Sequence, residues 1–238
     1  MAVAAAQEPP PVAPTPCTTI AEVIARMEEI DAGLPRKDGV AYFNRLYLQV
    51  TKTVQAATAN VTFAAPAFTE RLDVVFAGLY FAAEITLGTG ATCPIAWRPL
   101  MQERSTDCLP IQFAIAGMNA HINHDLPIAV VQTCKELGVA PENGSPQHLD
   151  YQRINGLLGE VEGQVAGWFE TGVIADIVEI TPKDVDKAIA MWSISDARGI
   201  AWDHAKLLWD LRHTPVLADA YGDMCGRLVE LSGRGILV

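Results

Sequence analysis

The sequence predicts an all-α fold: a single-domain bundle of about six to eight helices with a kinked central helix. Three observations predict it. Apolar residues recur three and four apart through segment after segment, the spacing of one helical face. Gly and Pro clusters fall between those segments. Strands do not alternate with helices, there is no internal repeat, and the one strand-like run, Val173 to Ile180, has nothing to pair with.

The chain has 238 residues, 50% of them hydrophobic, enough for one substantial core. Residues 1–17 read as a disordered Ala/Pro-rich tail, without the positive start or continuous apolar run of a secretory signal. Residues 18–238 read as the helical domain. Thr19-Ile-Ala-Glu22 has the spacing of a capping box and opens a first helix to about Asp31. Asp38 to Val54 is a second, with Phe43, Leu46, Tyr47, Val50 and Val54 on one face.

Ala67 to Leu87 is apolar nearly all round, as in a helix buried on several sides. Its exceptions, Asp73, Tyr80 and Glu84, lie along one stripe. Its apolar run from Leu72 is short for a bilayer span. After an irregular connection holding Trp97 and Arg98, a fourth helix runs from Pro110 to Leu137. Pro127, with no N–H to give, predicts a kink there. A fifth helix covers His148 to Glu170, with Ile154, Leu158 and Val165 on its apolar arc and His148 and Asn155 opposite. Thr181-Pro-Lys-Asp184 reads as the start of a long helix to about His213, and Pro215 begins the last, which fades at Gly233.

The net charge of −11 and a pI near 4.8 exclude nucleic acid and an anionic membrane as expected partners. A small apolar metabolite is the expected partner. Five widely spaced cysteines without a C-x-x-C pair read as reduced thiols of a cytoplasmic protein. There is no nucleophile elbow, Walker loop, dinucleotide fingerprint or H-E-x-x-H motif.

Chemistry concentrates in Gly117-Met-Asn-Ala-His-Ile-Asn-His-Asp-Leu-Pro127. His121, His124 and Asp125 share one helical arc. Such a face offers three ligands to a divalent metal (zinc, iron or manganese), with positions left for water or substrate. It also offers a His121–Asp125 acid/base pair. Asp196 falls inside the apolar arc expected from Val185, Ile189, Trp192, Ile200 and Leu207. A carboxylate there needs a partner such as Arg198, a histidine of another helix, or a metal. Glu84 is a candidate base, and Trp97 with Arg98 a candidate lid over a pocket.

With these residues in view, the chain resembles the bacterial DUF5995 family from about Thr19 to Gly233. The likeness rests on Asp38 to Thr51, Leu72 to Phe76 with Tyr80 and Phe81, Ala96 to Arg98, and above all Gly117 to Pro127. His148 to Tyr151, Asn155, Ala197 with Arg198, and Ala201 with Trp202 extend it. The resemblance implies that Asn119, His121, Asn123 and Asp125 are the motif's polar positions and that His124 is replaceable. It shifts weight from a two-histidine metal centre to a His121–Asp125 dyad.

The resulting expectation is an enzyme of secondary metabolism, a cyclase, isomerase or lyase. His121, Asp125, Glu84 and Asp196 are its catalytic groups, and Asn119, Asn123, His148, Tyr80, Trp97, Arg98 and Asn155 contact substrate. The alternatives are a metal-dependent hydrolase on the His121/His124/Asp125 face, and a non-catalytic helical protein that binds a ligand or partner.

Overall fold

The structure, a computed structural model, describes residues 16–174 and 193–238. Residues 1–15 of the predicted tail, all but the first two residues of the strand-like run, and the Thr181–Asp184 helix start with Val185, Ile189 and Trp192 lie outside them. The described residues form nine α-helices and no strand, an all-α arrangement. They are α1 (Ile20–Gly33), α2 (Gly39–Thr58), α3 (Pro66–Thr89), α4 (Arg98–Glu103), α5 (Pro110–Ala120), α6 (Leu126–Leu137), α7 (Pro146–Glu170), α8 (Ile194–Asp210) and α9 (Pro215–Ile236). Short 3-10 turns precede α4 and α9.

Local chemistry sets most boundaries. Thr19 and Glu22 close the expected capping box on α1. The Asp38 side chain caps α2, accepting from the Val40 amide at 2.8 Å while it pairs with Arg104. Ser145 caps α7, and Gly138, at φ 66°, ends α6 in the left-handed conformation that glycine adopts without strain.

The α5–α6 rod is the axis of the bundle. α5 packs on α2 and α9, and α6 packs on α3 and α8. At Gly117 the Phe43 side chain of α2 lies so close to the α5 backbone that a Cβ would overlap its ring.

One expectation is sharpened and three are corrected. First, the irregularity expected of the central helix at Pro127 takes the form of a widened turn just before it: His121–Asp125 form a π-turn, in which the Leu126 amide reaches back five residues to the His121 carbonyl. Pro127 has no amide to continue the ordinary ladder, so the irregular turn falls on the motif itself. Second, α3 has 24 residues and is, by length and composition, long and apolar enough to cross a membrane. In the fold it packs on α1, α6 and α7, with Phe68, Leu72, Phe76, Tyr80 and Phe81 buried.

Third, no helix runs unbroken to His213, because Ser193 is extended and caps α8 afresh. That cap resets which face is inward. Ile194, Ala197, Arg198, Ala201, Trp202 and Ala205 are buried, whereas Ile200 is 55% and Leu207 42% exposed. Asp196 is an exposed first-turn residue whose amide donates to the Ser193 hydroxyl at 3.3 Å. It needs no buried partner and faces away from the core. Fourth, Trp97 is no loop lid: it is fully buried in a 3-10 turn.

Candidate functional site: a His–Asp pair at a helical cavity

A cavity of about 470 Å³ opens between α1, α2, α3, α7 and α8, with the π-turn also on its wall. Its surface is mostly apolar, with Ile20, Val23, Val50, Val54, Ile154, Leu158 and Ile194 on it. Four side chains with titratable or charged groups reach it from the core, Tyr47, Asp73, His121 and Arg198, and the exposed Glu70 lines it as well.

His121 is 0% exposed. Its ring lies flat on Phe76, with centroids 3.5 Å apart, and the edge of Tyr47 approaches at 4.6 Å. Nδ1 lies 3.1 Å from Asp125 Oδ2, while Nε2 has no protein partner. Burial in this aromatic box lowers the imidazole's pKa more than Asp125 raises it, so the ring is neutral at pH 7. A neutral ring facing a carboxylate through Nδ1 carries its proton there, leaving the Nε2 lone pair bare.

Asp125 is the hub. Oδ2 also accepts the Trp97 indole N–H at 3.0 Å, and Oδ1 takes the Nδ1 of His124 at 2.8 Å. Burial alone would raise this carboxyl, but the hydrogen bonds of the two histidines outweigh it and hold the pKa below the usual range. The carboxylate is therefore ionised and fully engaged.

Both imidazoles turn Nδ1 toward the carboxylate between them, so they do not converge on a shared ion. Among the described residues no group of three or more His, Cys, Asp or Glu side chains is disposed to hold a metal.

The other expected site residues scatter. Asn119 donates to the Val229 carbonyl at 3.0 Å and accepts from Asn123 at 3.0 Å, tying the motif to α9. Asn123 and His124 line a second cavity of about 310 Å³, on the α9 side. Tyr80 is buried, with its hydroxyl on Asn44 Oδ1 at 3.1 Å, and belongs to the aromatic packing around His121. Glu84, one turn further along α3, pairs with Arg26 at 3.5 Å and does not line the His121 cavity. Arg98 is tied to the Cys93 carbonyl at 3.4 Å. His148 accepts from the Gly144 amide and packs on Trp202, away from the cavity. Asn155 is close to the site, for its Oδ1 takes the Nε–H of Arg198 at 2.7 Å.

Three of the four side chains that reach the cavity from the core, Tyr47, Asp73 and Arg198, are absent from the expected site residues. Asp73 was visible as the acid at the head of the α3 stripe, and burial pushes its pKa up to about 6, against the pull of Arg198. In the sequence Arg198 stands as a partner for Asp196 and as a position of the family likeness. The signal that would have found it is the Ser193 cap, which puts residue 198 rather than 196 on the inner face of α8.

No curated protein and no solved structure matches this chain. One family model does, that described as a family of unknown function (DUF5995). It matches residues 20–238, nearly the whole chain, and the protein belongs to that family.

Proposed function

We propose that the protein is an enzyme acting on a small, largely apolar metabolite, with His121 as the proton-transferring group and Asp125 as the residue that orients it. The observation that carries this reading is the bare Nε2 of a neutral, carboxylate-anchored imidazole on the wall of an apolar cavity. An imidazole so held accepts a proton at Nε2, and Asp125 stabilises the imidazolium that forms. Apolar walls exclude water and suit proton transfer at carbon, so cyclisation, isomerisation or elimination is favoured over hydrolysis. A cytoplasmic site of action fits five thiols that are all unpaired.

Ligand binding without catalysis is the second reading. Its support is the closeness of the packing: His121 has no solvent-exposed surface, and Asp125 is satisfied by three donors. Incubating the wild-type protein and His121→Gln with an organic extract of bacterial cells, followed by untargeted mass spectrometry, separates the two. Catalysis requires compounds that the folded wild type converts and the folded variant does not. Identical profiles, with both proteins retaining the same bound molecule, leave only binding.

A further inference from the structure

The His121 cavity holds a cation that the proposed acid/base chemistry does not use. Arg198 is 6% exposed, and a guanidinium that deep ordinarily has a carboxylate beside it. Three less buried arginines do: Arg45 pairs with Asp31 at 2.7 Å, Arg71 with Glu136 at 2.5 Å, and Arg104 with Asp38. No described carboxylate lies within ion-pair distance of Arg198. Its neighbours instead fix its direction. Nε donates to Asn155 Oδ1 at 2.7 Å, and the guanidinium carbon sits 4.6 Å over the Tyr151 ring. Both contacts orient the fork and neither neutralises it, and among the described residues the two terminal nitrogens make no hydrogen bond.

We infer that the cavity takes an amphipathic monocarboxylate, its head on the terminal nitrogens of Arg198 and its hydrocarbon body along the aliphatic wall that includes Val50, Val54 and Leu158. A carboxylate matches a guanidinium fork with two parallel hydrogen bonds. A doubly charged head such as a phosphate does not fit, because Arg198 is the only Lys or Arg among the lining residues and His121 is neutral. Two carboxylates also line the cavity, the exposed Glu70 and Asp73; burial raises the Asp73 carboxyl to about 6, so it takes up a proton more readily than a surface carboxylate and opposes a bound head group less. Arg198 lines the same cavity as Tyr47 and His121.

This inference rests on the proposed small-molecule site, and one titration separates the fates of the two. The full-length protein is loaded at pH 7 with the neutral fluorophore 1-N-phenylnaphthylamine, then titrated with decanoate and, separately, with decan-1-ol. Decanoate should displace the fluorophore about ten-fold more tightly than the alcohol, the worth of one charge-assisted contact. In Arg198→Met that preference should vanish while the alcohol binds as before. Equal affinity for acid and alcohol in the wild type, or a preference that survives in Arg198→Met, overturns the carboxylate inference and leaves the cavity standing. Failure of the fluorophore to enter removes both readings. Should the methionine variant not fold, the wild-type comparison decides alone.

Discussion

Two histidines three residues apart hold the two oxygens of one carboxylate, and their surroundings have almost nothing in common. His121 faces inward, stacked on Phe76, without exposed surface, at the aliphatic cavity between α1, α2, α3, α7 and α8. His124 faces outward, its side chain 18% exposed, into a smaller cavity shared with His204, Tyr221 and Asp223. The same pair of residue types thus makes a candidate base on one side and a wet, polar contact on the other. What distinguishes them is not the motif but what α2 and α3 lay against the inner face. The π-turn is what lets Asp125 serve both.

The sharpest way to break this comparison is to remove the hub. Asp125→Ala leaves the Trp97 indole N–H and both Nδ1 groups facing a void in the middle of the fold. Loss of a buried charge that satisfies three donors should cost about 3–5 kcal/mol, read as a fall in the urea midpoint at pH 7. A loss below about 1 kcal/mol would show that the carboxylate is not holding the two sides together.

Sequence periodicity delivered the helices because most of them bury one face, and the caps at Thr19 and Asp38 and the stop at Gly138 are written in local chemistry. His121 and Asp125 were legible for the same reason: residues four apart on a helix touch. Arg198 and Trp97 were not. Each depends on where another element begins, α8 at the Ser193 cap and α4 just after a buried 3-10 turn, and a boundary error of a few residues turns a helix face away from its cavity. Asp196 was misplaced by that mechanism, its arc having been drawn through residues before the cap. Glu84 does align with Asp73 and Tyr80, but a stripe about three turns long need not open onto one cavity, and here Arg26 takes its far end.

Paired glycine substitutions sharpen the inner-versus-outer contrast at smaller cost. Gly117 lies where α5 meets α2, and a methyl group there overlaps Phe43, whose ring in turn touches His121 edge-on. Gly117→Ala should destabilise by about 1–3 kcal/mol. Gly222 lines the outer cavity from the middle of α9, with nothing within 4 Å of an added Cβ. Gly222→Ala should gain up to about 1 kcal/mol from helix propensity. Thermal unfolding of the two variants with opposite signs is the expected result; destabilisation of equal size would mean that the two sides are packed alike.

The smallest effect expected comes from within the inner cavity, where two groups titrate in opposite senses. His121 has its folded-state pKa below 6.5, so the unfolded chain takes up that proton first, and stability falls as the pH drops through 6.5. Asp73 is raised from 3.8 to about 6, so the folded protein takes up that proton first, and stability rises as the pH drops through the same region. In the wild type the two slopes offset each other between roughly pH 4 and 6.5. Asp73→Asn removes the compensation. Relative to wild type it should be more stable by about 1–2 kcal/mol near pH 7 and no better near pH 4, so that it loses stability more steeply on acidification. His121→Gln should show the reverse, a shallower loss. Urea midpoints for the three proteins across this range test both signs at once. Parallel curves would mean that neither group is held by the cavity in the charge state described, and that Asp73 in particular is as well solvated as a surface carboxylate.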